Sequence, residues 1–360
     1  MRVPEPTVSP RGVAWFAGVE ASCVVEVVDV RAQPERLTQP GWWAVVGDFE
    51  GGVRAWRFAQ TRPSSPAVDH GWTGPDPTSW VSSLDRAQYV AAVGRVRDHI
   101  EEGDVYQANL CRVLSAPLPG NGDEPVARAL GAVLDAGNPA PFSGGVQVPG
   151  EVWVVTASPE LFLRVEGGVV SSGPIKGTAA TADALTEKDR AENVMITDLV
   201  RNDLQRVCVP GTVEVTTLLG EERHPGLVHL VSTVQGVLDD DVAQAKDLWA
   251  RLLDATYPPG SVSGAPKSSA LEIIAALETV PRGPYCGAVG WIEVGTDGSV
   301  RAELAVGIRT FWWADDVLRF GTGAGITWGS DPEGEWAETE LKARRLVGLA
   351  SDGAPGRMTD

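Results

Sequence analysis

Cysteine, histidine, methionine and positive charge are all scarce in this chain of 360 residues. Its four cysteines, Cys23, Cys111, Cys208 and Cys286, lie far apart, with no C-x-x-C pair and no Cys/His spacing of a zinc site. That excludes a disulfide scaffold and a zinc-thiolate centre, and points to reduced, mostly buried thiols in a cytoplasmic protein. The opening residues "MRVPEPTVSPRG" lack the apolar core of a signal peptide, and no apolar run approaches the roughly 18 residues of a membrane span. No membrane association is expected. Basic residues number 30 against 48 acidic, a net charge of −18, which repels phosphate backbones and anionic lipid surfaces. Nucleic acid is therefore not an expected partner. Small anionic substrates stay open, because a bound metal or a local basic pocket overrules the global sign.

Hydrophobic content of 43% and charged content of 22% are those of an ordinary globular protein. The Pro-, Gly- and Ser-rich stretch 60–80 separates a short β-rich piece from the remainder. The boundary gives two parts, 1–80 and 81–360, packed as one large unit. In the first part, 41–58 reads as two strands about a Gly-Gly turn. Tyr89, Val93, Val96 and Ile100 recur at helical spacing, with Gly103 as the stop. A second helix fits 186–207, opened by a capping box from Thr186 to Asp189. Further helices are expected near 242–254, 268–279 and 332–350. Strands are expected over 105–116, 152–173, 211–219, 226–238, 287–294, 300–313 and 317–326. Helices and strands in mixed order, with several adjacent strand pairs, predict an α+β fold built on a large antiparallel sheet.

Two glycine-rich stretches resemble phosphate loops and fail the test. In "GSVSGAPKSS" (260–269) the spacing is wrong and Pro266 lacks an N–H to offer. "GTGAGI" (321–326) follows a strand, but the next helix starts too late for a dinucleotide fingerprint. Its amides still suit a carboxylate. The segment "GPIKGTAAT" (173–181) holds Lys176 between Pro174 and Gly177, as though its amine were aimed, although a surface turn would read the same. Glu192 shares a half-apolar helix face with Met195, Ile196 and Leu199, while Glu335, Glu338 and Lys342 lie on one face of the last helix. Such a stripe is commonly a solvated salt-bridge ladder. Alternatively, the three glutamates together could hold one Mg²⁺ through oxygen ligands. Glu160 in "TASPELF" follows a Ser-Pro turn and could pair with Lys176 as acid with base or nucleophile. His229 lies in an apolar strand, as many core histidines do. Arg309 in "VGIRT" could clamp a carboxylate or serve a structural salt bridge.

Taken in order, "GDVYQANL", "SPELF", "PIKGT", "DRAENVMITDLVRNDLQRV", "HLVSTVQG", "YPPGSVSGAPKSSALEII", "YCGAVGWI", "GIRT", "GTGAGI" and "SDPEGEWAET" resemble the chorismate-utilising enzymes. The resemblance covers roughly 85–342. It implies an antiparallel β-sandwich flanked by helices in αββα layers, like anthranilate synthase component I, with chorismate and Mg²⁺ in a cleft. Carried over by position, Glu192, Glu335 and Glu338 resemble the magnesium carboxylates, and Glu160 the acid that protonates the departing 4-hydroxyl. Arg309, Tyr285, Lys342 and the amides of Gly323, Ala324 and Gly325 resemble the substrate grip, with His229 and Thr178 lining the same cleft.

Two positions discriminate within the resemblance. Gln107 stands where the water-adding synthases have a lysine base, which implies ammonia as the nucleophile. Lys176 stands where anthranilate synthases have alanine and aminodeoxychorismate synthases have lysine. The expectation is an aminodeoxychorismate synthase component I of 4-aminobenzoate and folate biosynthesis, fed with ammonia by a glutamine amidotransferase. The competing expectations are anthranilate synthase component I and a non-catalytic chorismate-binding subunit. One departure is "GTAAT", where relatives often continue with arginine and proline.

Overall fold

The computed structural model describes residues 9–65, 71–119, 123–179, 181, 183, 185–224 and 227–352. Runs rich in valine and tryptophan form the strands, because branched and aromatic side chains fit a pleated, half-buried surface. Eighteen strands join into one sheet. From Gln107–Pro117 its antiparallel ladders pass through Val317–Ile326, Thr310–Ala314, Val152–Ser158, Phe142–Val148, Ser9–Phe16 and Val19–Asp29. They continue through Val53–Pro63, Gly41–Gly47, Ala288–Val294, Val300–Val306, Leu161–Glu166, Val169–Gly173 and Leu227–Val237. The two halves meet in a common core: Val146 and Val154 of the first share a buried cluster with Trp43, Leu163 and Val289 of the second.

Helices cover the sheet from outside. They are α1 (Arg86–Glu102), α2 (Ala127–Gly137), α3 (Glu187–Leu204), α4 (Asp240–Ala243), α5 (Leu248–Thr256), α6 (Lys267–Leu277) and α7 (Pro332–Asp352). Leu130 and Leu134 of α2 and Ala343 and Leu346 of α7 pack on Trp153, Phe311 and Phe320. Tyr89 and Val93 of α1 and Ala270 and Ile273 of α6 pack on Ala108, Leu110 and Ala324. Ile196, Val200 and Leu204 of α3 and Leu252 of α5 reach the main core. This is the α+β architecture with a large antiparallel sheet that the sequence predicts.

The details differ in instructive places. The N-terminal strands are woven into the sheet, Ser9–Phe16 against Phe142–Val148 and Gly41–Gly47 against Ala288–Val294. The expected helix over 242–254 is two helices, α4 and α5, and the strand expected over 300–313 is interrupted at 307–309. No helix among the described residues is long and apolar enough to cross a membrane. The four cysteines are free thiols, with Cys111, Cys208 and Cys286 buried.

Candidate active site

Lys176 sits in a short strand, Ile175–Ala179, where the sequence suggested a turn. Its constraint comes from a bulge: the register against Leu227–Val237 shifts between Ile175 and Thr178, and Gly177 takes φ +89°. A bulge re-aims the side chain beside it. Here the amine is turned toward Gln107 and the glycine strand. A Cβ on Gly325 would fall 2.3 Å from Gln107 Nε2 and 3.4 Å from Lys176 Nζ, so any side chain there would push the Gln107 amide from its place beside Lys176. The Oε1 of Gln107, which is 1% exposed, has no hydrogen-bond partner among the described residues. Gly321 and Gly323 open the same face of that strand, to the ring of Tyr285 and the thiol of Cys111. Ala324 points the other way, into the core with α1 and α6, and its backbone is paired with Leu110 in the ladder.

Glu160 lies between Val152–Ser158 and Leu161–Glu166, almost fully buried. Burial pushes its carboxyl up to about 7, against the pull of the Ser261 hydroxyl, the Lys176 charge and the Ile175 amide. A carboxyl in that condition carries a proton near neutrality, as a general acid must.

The glutamates arrive on two helices. Helix α3 opens with the reciprocal capping box of Thr186 and Asp189, and Asn193, Ile196, Thr197, Val200 and Leu204 form its buried face. Glu192 lies at the edge of that face. In α7 the inward stripe includes Thr339, Ala343, Leu346 and Ala350, and Glu335 continues it one turn earlier at 4% exposure. Glu338 and Lys342 sit half-exposed at the stripe's edge and pair at 2.5 Å. The Lys342 amine also donates to the carbonyl of Gly323 at 3.1 Å, tying the helix to the glycine strand. Between the helices stands Lys188, with its Nζ 3.2 Å from Glu335 and 3.7 Å from Glu192. Burial raises the Glu192 carboxyl, opposed by Lys176 and Lys188. For Glu338, partial burial is outweighed by Lys342, and the carboxyl lies below its usual range. The charge of Lys176 acts on Glu160, Glu192 and Glu338, so all three carboxyls lie within its electrostatic reach.

The three glutamates are near one another but not closed on one point. Among the described residues, the trio of metal-capable side chains with ligand atoms within 4.8 Å of one another is the largely exposed His99, Glu102 and Asp104. Lys188 and Lys342 hold Glu192, Glu335 and Glu338 in a more open arrangement.

Arg309 occupies the break between Val300–Val306 and Thr310–Ala314 with φ +52°, a left-handed conformation that costs a side chain energy. Burial lowers its pKa, and its guanidinium has no hydrogen-bond or ion-pair partner among the described residues. An uncompensated, half-buried guanidinium is suited to an incoming carboxylate. Tyr285 is deeply buried behind the glycine strand, its hydroxyl accepting from the Cys111 thiol at 3.8 Å. His229 is buried, its backbone opposite Thr178 on one side and Glu222 on the other. The side chain of Thr178 lies outside the described residues. Lys267, in the second glycine-rich stretch, is engaged by Asp203 at 2.7 Å and the Thr256 carbonyl at 2.8 Å, so no phosphate loop exists there.

Sequence reasoning missed Lys188, Asn193 and Ser261. Lys188 carried a signal in its i,i+4 spacing to Glu192. Asn193 is buried and donates to the carbonyls of Leu230 at 2.9 Å and Lys176 at 3.4 Å, which anchors the bulged strand to α3. Ser261 had no local signal, because its role depends on a loop meeting Glu160 from far along the chain. Lys176, Lys188, Lys246, Lys267 and Lys342 are the only lysines among the 30 basic residues, so arginine is this chain's usual cation. Three of the five lysines nevertheless meet at the cleft.

A family profile described as chorismate binding enzyme matches residues 53–348. Anthranilate synthase component 1 of Streptomyces coelicolor is 40% identical over 300 residues, covering 79% of this chain and 55% of the relative. Aminodeoxychorismate synthase component 1 of Salmonella typhimurium is 35% identical over 282 residues, covering 75% of this chain and 59% of the relative. The chain thus spans less than two thirds of the length of these relatives. Among solved structures, a 2,3-dihydroxybenzoate-specific isochorismate synthase from Bacillus anthracis has the same fold, with TM-score 0.77, 22% identity and coverage of 95% of this chain and 97% of that one. Anthranilate synthase component I from Streptococcus pneumoniae aligns with TM-score 0.74 and 23% identity, over 95% of this chain and 90% of that one.

Proposed function

The chain belongs to the chorismate-binding enzymes, and from that premise we propose that it aminates chorismate at C4, as an aminodeoxychorismate synthase component I. The observation that carries this reading is the Lys176 amine, brought by a bulge to the glycine strand beside Gln107. An amine placed there serves as a nucleophile, while Gln107, unlike a lysine, offers no base to activate water.

In the first step Lys176 gives its ammonium proton to solvent and the free amine adds to C2 of chorismate, the ring double bonds shift, and the 4-hydroxyl departs. Glu160 gives that hydroxyl its proton, so it leaves as water. Ammonia then adds at C4, the double bonds shift back, Lys176 leaves C2 as the free amine, and the proton shed by the new C4 ammonium group returns to Glu160. One ammonia is consumed and one water released. Arg309 takes a substrate carboxylate. The residues that would hold a magnesium ion are Glu192, Glu335 and Glu338. Carboxylate oxygens suit a hard divalent cation, and the gap between Glu192 and Glu335 already draws in the Lys188 ammonium. When bound, the ion would neutralise a substrate carboxylate. Ammonia would come from a glutamine amidotransferase partner, as the component 1 names of the relatives imply.

A second reading is direct ammonia attack at C2, the anthranilate route, and it is favoured by the 40% identity to an anthranilate synthase. Chromatography of the products from chorismate, Mg²⁺ and ammonium chloride separates the two. Aminodeoxychorismate is expected, and anthranilate as the main product would overturn the proposal.

A further inference from the structure

We propose that Lys188 is a built-in counter-ion of the carboxylate cluster, occupying the gap between Glu192 and Glu335 until a divalent cation displaces it. The inference rests on the metal reading above and adds a residue that sets the ion's affinity. The ammonium lies 3.2 Å from Glu335 and 3.7 Å from Glu192. Glu335 is nearly fully buried and Glu192 mostly so, which makes two bare carboxylates this close costly without a cation. Glu335 of α7 and Glu192 of α3 face the ammonium from two helices and keep it in place.

The side chain is built to leave. It is 46% exposed at the mouth of the gap, on the first turn of α3, with water available once it swings out. A lysine ammonium is a compact point charge on a flexible stem, whereas an arginine would grip both carboxylates through its rigid fork. In a chain whose basic residues are mostly arginine, the lysine here gives a contact that a divalent ion can outcompete. Its departure would let Glu192 and Glu335 turn inward and close the arrangement that Lys188 now holds open. Lys342 does not share this role, because it also holds the Gly323 carbonyl.

The test is calorimetric titration of Mg²⁺ into the parent, Lys188→Met, Lys188→Arg and Glu335→Gln, with thermal unfolding in a chelator and in Mg²⁺. Lys188→Met is expected to bind Mg²⁺ about 10-fold tighter or more, since the competing charge is gone. Its melting temperature should fall below the parent's in the chelator and recover in Mg²⁺. Lys188→Arg should bind no tighter than the parent. Equal or weaker Mg²⁺ affinity in Lys188→Met, with binding lost in Glu335→Gln, would overturn the displacement and leave the metal site standing. No Mg²⁺ binding by either the parent or Lys188→Met would overturn both.

Discussion

Glu160 is the residue whose environment makes the sharpest pH statement. Its carboxyl sits at about 7 when folded against an ordinary value of 4.5, chiefly through burial. Between those values the folded chain holds a proton that the unfolded chain has lost. Stability therefore falls as pH rises from about 4.5 to 7 and levels off above. Glu160→Gln removes the titration, so its stability relative to the parent should grow across that window, by on the order of 3 kcal/mol from the size of the shift. Urea unfolding at pH 5 and pH 8 measures this, and a pH-independent difference would show that Glu160 titrates normally. The same variant should lose its chorismate turnover by about 10²–10⁴, because no proton reaches the leaving hydroxyl. A pairing of Glu160 with Lys176 was legible from its place after a Ser-Pro turn, and its role toward the leaving hydroxyl from the motif resemblance, but "SPELF" contains nothing local that forecasts its burial or its Ser261 partner.

At the scale of elements, α3 and the glycine strand do the positioning, and the sequence revealed them unequally. The capping box of Thr186 and Asp189 was readable from four residues and is present as read. Thr186→Ala should cost about 1 kcal/mol, measured as a shift in denaturation midpoint. The helix over 332–350 was also readable, since its inward stripe repeats at i,i+4. The bulge at Lys176 was not. It arises from pairing with Leu227–Val237, some fifty positions away, and no local pattern encodes that register. The break at Arg309 escaped for the same reason. Gly325→Ala would put a methyl carbon 2.3 Å from Gln107 Nε2 in a packed site. We expect a loss of ammonia-dependent turnover of about 10²-fold or more with secondary structure intact by circular dichroism. Parent-like activity would mean that Gln107 and Lys176 need not approach this strand.

At the scale of the whole molecule, an antiparallel sheet and its flanking helices bring groups that are remote in sequence within reach of Lys176: Gln107, Glu160, Glu192 and Glu338 of the last helix. Composition and periodicity forecast the α+β class but not this convergence, which long-range ladders create. The purified chain should consume chorismate with ammonium salts at raised pH, where free ammonia is abundant, and should ignore glutamine. Glutamine-dependent turnover by the single chain would remove the need for a partner. If Lys176 attacks the ring, the mass of the intact chain reports it. Incubated with chorismate and Mg²⁺ in the absence of ammonia, the protein should gain the mass of chorismate less one water. The added mass should map to the peptide containing Lys176 and vanish in Lys176→Ala. No adduct on the parent, together with substantial aminodeoxychorismate formation by Lys176→Arg, whose guanidinium stays charged at working pH, would contradict the covalent route.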